Sequence, residues 1–170
     1  STLGRMVLSA IPEDGTASDP SNPTTPANPT NPTNIVEPFT DVKADSWFAE
    51  PVKWAVTNKI TNGTSETSFS PDQTCTHAQI LTFLWRAAGS PLVDVSHPFT
   101  NIKSSEYYYN AVVWAYSMGM LSKNSFDPNA YCTRADTVVY LWINAGSPSA
   151  AYSGNFSDVS ADASYAQAVA

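Results

Sequence analysis

An internal repeat constrains this chain more than any other feature of its sequence. Phe-Thr-Asp-Val begins at Phe39, Phe-Thr-Asn-Ile at Phe99 and Phe-Ser-Asp-Val at Phe156, at spacings of 60 and 57 residues. Further pairs keep these two spacings: Trp54 and Trp114, Phe69 and Phe126, Pro71 and Pro128, Cys75 and Cys132, Trp85 and Trp142, Gly89 and Gly146, and Pro91 and Pro148. So many matches in one register indicate tandem copies of one structural unit.

The repeat predicts the domain boundaries. The first copy occupies residues 39–97 and the second residues 98–155, and residues 156–170 are the beginning of a third copy. The third is cut short, because Ala170 corresponds to Lys53 and the next residue would match a tryptophan. We therefore expect the chain to be a piece of a longer protein.

A proline-rich segment precedes the repeats. Seven of the 13 prolines fall within residues 12–38, and from Pro20 to Pro32 they recur every three residues. Polyproline II has three residues per turn, so this spacing predicts an extended, semi-rigid linker. A docking ligand for a proline-binding domain is the alternative. Residues 1–11 are interpreted as the tail of a preceding domain.

Each copy is predicted to be helix, loop, helix. Apolar residues at helical spacing predict a first helix from about Trp47 to Asn58. Thr76 and Gln79 form a capping-box pattern at the start of the second helix, and Gly89 and Pro91 end it. The second copy has the same helix start signals at Thr133 and Asp136 and the same stop signals at Gly146 and Pro148.

The predicted fold is mainly all-α. A helix pair this small buries too little apolar surface to be stable alone, so the copies must pack on one another. Four tryptophans share helix faces with aliphatic residues and are predicted to be core residues: Trp54, Trp85, Trp114 and Trp142.

Composition and spacing exclude several functions. The net charge of −7 argues against nucleic acid as a partner. No apolar run reaches the length of a membrane span. No nucleophile, base and orienting residue recur in a recognisable spacing, so we expect neither an enzyme nor a cofactor. Asp41, Asp45, Asp158 and Asp162 lack the alternating spacing of a calcium loop, so no metal is predicted.

Taken together, the motifs resemble the S-layer homology domain family. The resemblance rests on Phe-x-Asp-Val, Trp-Ala, Phe-x-Pro and a Thr-Arg-Ala-acid helix start, which here is Thr133–Asp136. It implies repeats in a pseudo-threefold helical assembly that holds an exported protein on a Gram-positive-type cell wall or S-layer. It also implies that grooves between repeats bind a secondary cell-wall polysaccharide, often one made anionic by a pyruvyl ketal.

The resemblance assigns the main ligand contact to Arg134, with Thr133 and Asp136 completing its motif. An arginine in a first helical turn adds a planar donor fork to free N–H groups and a positive dipole end, which suits a carboxylate. In the first copy His77 replaces the arginine and is cationic only when protonated. The alternatives are an Arg134 paired with a neighbouring acid and a solvated His77.

Further candidate contacts carry aromatic or backbone chemistry. Trp47, Tyr107 and Tyr108 are candidate walls on which a sugar ring stacks, and Gly63 is a point where backbone can approach a sugar closely. Asp41 is a candidate contact, and the alternative for Asp41 and its equivalent Asp158 is a turn cap.

Cys75 and Cys132 precede the cap threonines of the two copies and are predicted to be small buried thiols. A disulfide between them is the alternative, although equivalent positions of neighbouring repeats need not be adjacent.

The leading prediction is a non-catalytic, carbohydrate-binding anchor. Its rival is a structural module that packs on copies of itself or on other surface proteins in a lattice or fibre. In a third hypothesis the chain anchors a surface enzyme whose catalytic part lies before Ser1.

Overall fold

The computed structural model describes residues 35–36, 38–122, 126–151, 154 and 156–170. The predicted tail at residues 1–11 and most of the predicted linker lie outside the described residues. What is described is mostly helical, as predicted, and none of its helices has the length and apolar character needed to cross a membrane. The chain forms two compact units, Ser1–Pro71 and Asp72–Ala170, and each is described by itself.

The first unit contains a short β-ladder that the sequence did not predict. Strand β1, Ile35–Val36, pairs antiparallel with β2, Phe39–Lys43. Two residues of the predicted linker therefore belong to this unit. A two-residue strand is too short to show the period-2 alternation by which strands are recognised.

Helix α1, Ala49–Thr57, packs beside this ladder and begins two residues later than predicted. The chain enters it through a tight turn in which the Ala49 N–H donates to the Ser46 carbonyl at 2.9 Å. The small core of the unit consists of Val36, Phe39, Val42, Ala49 and Val52.

The prediction that Trp54 is a core residue is wrong, because its side chain is 49% exposed. It lies two residues after the buried Val52, about 200° further round the helix, and so faces away from the core. Its equivalent Trp114 is 4% exposed and belongs to the core of the second unit.

The described residues of the second unit form four helices: α2, His77–Ala87; α3, Tyr109–Ser117; α4, Arg134–Asn144; and α5, Ala166–Val169. Helix α2 packs on α3 and, less extensively, on α4, while α4 packs on α5. The most extensive packing therefore joins the second helix of one copy to the first helix of the next, where the sequence suggested a helix pair within each copy.

The core of this unit crosses the boundary between the copies in the same way. Ala78 and Leu81 of the first copy share one cluster with residues of the second copy: Phe99, Ile102, Tyr108, Val112, Trp114, Ala115, Met120, Leu121, Phe126 and Tyr140. Leu81 has no exposed surface. A helix of the first copy therefore completes the core of the second.

The predicted helix boundaries of α2 and α4 are confirmed. A reciprocal capping box joins Thr76 to Gln79, and another joins Thr133 to Asp136. A glycine with a positive φ follows each helix: Gly89 after α2 and Gly146 after α4. The indoles of Trp85 and Trp142, both half-buried, each donate to a proline carbonyl six residues later at 2.9 Å.

Gly63 has a structural role in the first unit. Its φ is +78°, and a Cβ placed there would lie 2.4 Å from Cε1 of Phe39 and 2.5 Å from the Ser68 carbonyl oxygen. The close approach that the sequence suggested for a sugar is thus made here by a core ring and the backbone.

We predict that Gly63→Ala lowers the free energy of unfolding by about 3 kcal/mol, because the methyl group overlaps atoms that cannot withdraw and φ is unfavourable. Gly89→Ala is the matched control, since its φ is +88° with nothing within 4 Å of the added Cβ. We expect Gly89→Ala to lower the free energy of unfolding by only about 1 kcal/mol. Urea denaturation of the full chain followed by circular dichroism measures both, and equal costs would contradict the steric argument.

Candidate functional site

The start of α2 meets the loop before α4, and this junction, here called the seam, joins the first copy to the second. The His77 and Ala78 N–H groups donate to the carbonyls of Ala130 and Pro128, each at 3.0 Å. Just before the helix, Thr76 and Tyr131 form an antiparallel bridge. The first amides of a helix have no partner within it, so the next copy satisfies donors that α2 cannot.

His77 is held in the seam. Its Nδ1 lies 2.9 Å from the Tyr140 hydroxyl oxygen, and its Nε2 lies 4.0 Å from Oδ2 of Asp136. The ring makes edge contacts with Phe126 and Tyr140, and the side chain is 18% exposed. The interpretation of His77 as a solvated helix-start residue is therefore wrong.

A groove of about 600 Å³ opens over these residues and is called the seam groove. Its polar lining comes from His77, Ser122, Asp127, Asp136, Tyr140, Ser164 and Tyr165. Burial raises the pKa of Tyr140 well above its ordinary value, so this hydroxyl stays neutral. Two carboxylates beside one histidine make the seam groove a poor site for an anion.

A second groove, of about 290 Å³, lies between α4 and the start of the third copy and is called the Arg134 groove. Its lining combines one cation and one carboxylate with apolar and aromatic side chains: Arg134, Ala135, Val138, Phe156, Asp158, Val159, Tyr165 and Val169. Arg134 is exposed in the first turn of α4, and Phe156 is 53% exposed.

Arg134 is not used in an ion pair within the described part of the chain. The alternative in which it simply pairs with an acidic neighbour is therefore not found among these residues. A guanidinium at a helix start, next to the exposed ring of Phe156 and the half-buried ring of Tyr165, can bind a carboxylate while a ring supports the body of a sugar.

Thr133 and Asp136 position Arg134. The Thr133 hydroxyl accepts the Asp136 N–H at 3.1 Å and donates to Asp136 Oδ2 at 2.6 Å. The same oxygen accepts the Thr133 N–H at 3.0 Å. These bonds fix where α4 begins and hence the turn from which the guanidinium extends.

The carboxylate of Asp41 is engaged within the first unit. Oδ1 accepts the Phe69 N–H at 2.9 Å, and Oδ2 accepts the Ser70 N–H at 2.8 Å. These bonds, above all that from Phe69, lower the pKa of Asp41. Asp41 therefore ties β2 to the loop around Phe69, and a role in ligand binding stays a prediction.

Two of the predicted aromatic walls are exposed and one is not. Trp47 is 84% exposed and Tyr107 61%, each set edge-on against the next residue, Phe48 or Tyr108. The prediction that Tyr108 forms a wall is wrong, since it is 7% exposed and part of the core.

Two groove residues, Tyr140 and Tyr165, were not predicted from the sequence. The repeat could have predicted an aromatic residue at Tyr165, because it lies nine residues after Phe156. Phe48 and Tyr108 lie nine residues after Phe39 and Phe99 in the same way. Tyr140 had no such signal, since its partner His77 is 63 residues away.

His77, Cys132 and Asp136 form a group that could hold a metal ion. Their donor atoms lie within 4.8 Å of one another. Imidazole, thiolate and carboxylate together suit zinc.

Comparison with known proteins identifies the family. The family model of the S-layer homology domain matches residues 38–81 and 98–138. The chain is 33% identical over 100 residues to an endoglucanase of Bacillus sp. (strain KSM-635), covering 57% of this chain and 10% of that protein. It is 30% identical over 112 residues to a cell surface protein of Thermoanaerobacter kivui, covering 61% and 15%.

A third relative, an amylopullulanase of Thermoanaerobacterium thermosulfurigenes, is 27% identical over 100 residues, with 58% of this chain and 5% of that protein covered. The match thus spans at most 15% of the length of these three proteins. No solved structure is significantly similar.

We predict that Asp41→Asn makes the Phe69 and Ser70 amides exchange with solvent roughly five-fold faster at neutral pH, because each N–H bonds a different carboxylate oxygen and asparagine replaces one of these acceptors with an NH2 donor. A lowered folded-state pKa contributes stability above the unfolded pKa, and this is lost as pH falls through the folded value. The two proteins should therefore converge in acid.

NMR-detected hydrogen exchange makes this measurement. Asp45→Asn is the matched control, because it removes the same charge from the turn after β2. Equal exchange rates in the Asp41 and Asp45 variants at neutral pH would show that the two hydrogen bonds do not hold the loop.

Proposed function

Because this chain belongs to the S-layer homology domain family, we propose that it anchors an exported protein by binding a secondary cell-wall polysaccharide in the Arg134 groove. Domains of this family are non-catalytic modules that attach surface proteins to the cell wall and bind its polysaccharide. The proposal adds the site, the anionic character of the ligand and the role of Arg134. A pyruvyl ketal would supply the carboxylate.

The position of Arg134 carries the proposal. The side chain is exposed, begins α4 and lines a groove between two copies. An arginine is the side chain best suited to a planar carboxylate, because its fork donates two parallel N–H bonds. In a protein of net charge −7, such a site works locally and not through a general positive field.

The choice between the two grooves follows from charge. The seam groove holds Asp127 and Asp136 beside His77, so an anion entering it meets two carboxylates. The Arg134 groove holds one guanidinium and one carboxylate, that of Asp158. We therefore place the anionic group of the ligand at Arg134 and its sugar ring against Phe156 or Tyr165.

The proposal includes a pseudo-threefold arrangement of the copies and an extended linker before them. Support for the first is that the packing of α2 on α3 recurs as that of α4 on α5. A step that repeats from copy to copy favours closure around an axis. Support for the second is the three-residue spacing of the prolines.

Arg134→Ala is predicted to weaken binding to purified wall polysaccharide at least about tenfold, the loss expected when a charge-assisted hydrogen-bond pair is removed. The affinity of Arg134→Lys should lie between those of wild type and Arg134→Ala, because lysine keeps the positive charge but lacks the planar pair of N–H donors. Isothermal titration calorimetry with the full chain measures both variants. Wild-type binding should weaken as salt is raised.

Lys103→Ala is the matched control, because it removes one exposed positive charge away from the groove and should bind within about twofold of wild type. Polysaccharide stripped of its ketal groups should bind wild type as weakly as the intact polymer binds Arg134→Ala. If Arg134→Ala binds as well as wild type, the site is wrong. Assembly of the chain without polysaccharide, together with no measurable binding, would favour the lattice module instead.

A further inference from the structure

Cys75 and Cys132 come from different copies and face each other across the seam. The antiparallel bridge pairs Thr76 with Tyr131, so the residue before the first lies opposite the residue after the second. Those residues are Cys75 and Cys132. The Cys132 N–H donates to the Cys75 carbonyl at 3.0 Å, which places the two backbones in direct contact.

The Cα separation at this position lies within the range that a disulfide spans. The bond between the Cys132 N–H and the Cys75 carbonyl makes this a hydrogen-bonded position of the pair, where opposite residues have Cα atoms roughly 5.5 Å apart and side chains on one face. A disulfide needs Cα atoms about 4.4–6.8 Å apart. The two cysteines are half-buried and not bonded to each other in the structure. Burial raises the pKa of the Cys132 thiol, and a charge on Cys75 adds to this rise.

We propose that Cys75 and Cys132 form a disulfide that clamps the first copy to the second once the protein is outside the cell. The two thiols lose two protons and two electrons, and the S–S bond forms between their sulfur atoms. A small-molecule disulfide accepts the electrons, passes through a mixed disulfide with one cysteine and leaves as two thiols.

The location of the family supports this chemistry. S-layer homology proteins are attached to the cell surface, where disulfides persist because the reducing systems of the cytosol are absent. The proposal depends on that location and not on polysaccharide binding. Burial raises the pKa of both thiols, so little thiolate exists at neutral pH and formation should speed up as pH rises.

The bond would close the junction on which the second core depends. It lies one residue before the cap of α2, beside the hydrogen bonds from His77 and Ala78 to the next copy. It would close a loop of 57 residues, and cross-links over long loops restrict the unfolded chain most. The reduced protein would keep the same fold with a weaker seam.

The test uses the full chain incubated with oxidised glutathione at mildly alkaline pH, quenched with an alkylating agent and analysed by mass spectrometry. We expect a monomer that is about 2 Da lighter, takes no alkyl label and gives one cross-linked peptide pair joining residues 75 and 132. Reductant should then lower its Tm by roughly 10 °C.

Three results would overturn the proposal. Glutathione attached stably to both cysteines, or dimers in place of an internal bond, would show that the sulfur atoms cannot meet. Two thiols that stay fully labelled at every pH would show the same. If the thiols resist alkylation without the loss of about 2 Da, and a chelator makes them react, Cys132 belongs to a metal site with His77 and Asp136.

Single variants provide the controls. Cys75→Ser and Cys132→Ser should each accept one glutathione and show no Tm change with reductant beyond the loss of that adduct. Arg134→Ala should form the disulfide as readily as wild type, because it lies outside the bridge. A failed polysaccharide experiment therefore leaves this proposal standing, and failure here leaves the polysaccharide site untouched.

Discussion

The packing of one copy's second helix against the next copy determines most of the second unit. Neither partner is sufficient alone, since Leu81 of the first copy is buried within a core supplied mainly by the second. The start of α2 obeys the same constraint, because two of its amides find acceptors only in the loop of the next copy. Apolar burial gives this junction most of its stability, at about 25 cal/mol per Å² of apolar surface, and the hydrogen bonds fix its register.

The grooves are consequences of this arrangement. Helices of successive copies pack on one another, and the grooves beside them are lined in part by residues of the capping motifs. The same four residues thus begin a helix and present a cation: Thr133 and Asp136 form the cap, and Arg134 extends from the turn that the cap fixes. The first copy has a histidine in that place, and its seam uses the side chain for packing against Tyr140.

Periodicity and capping chemistry are local, so the sequence predicted α2 and α4, their caps and their terminal glycines. The sequence did not predict the features that depend on contacts between residues far apart in the chain. Trp54 and Trp114 are equivalent in sequence, yet Trp54 is 49% exposed and Trp114 only 4%, because burial depends on what packs alongside. The contact of His77 with Tyr140 and the facing of Cys75 with Cys132 also depend on how copies stack, which no single repeat encodes. Of the predicted site residues, Arg134 lines a groove whose aromatic side chains are not the predicted ones, whereas Asp41 and Gly63 have structural partners.

The most direct test of the shared core is Leu81→Ala in the full chain, followed by hydrogen exchange and mass spectrometry. Leu81 lies in the first copy, but we predict that exchange accelerates in α3, residues 109–117, as much as in α2, because both helices lose the same core. Phe83→Ala, on the same helix and outside the core cluster, should leave α3 unchanged. Faster exchange confined to α2 in the Leu81 variant would contradict a core shared between copies.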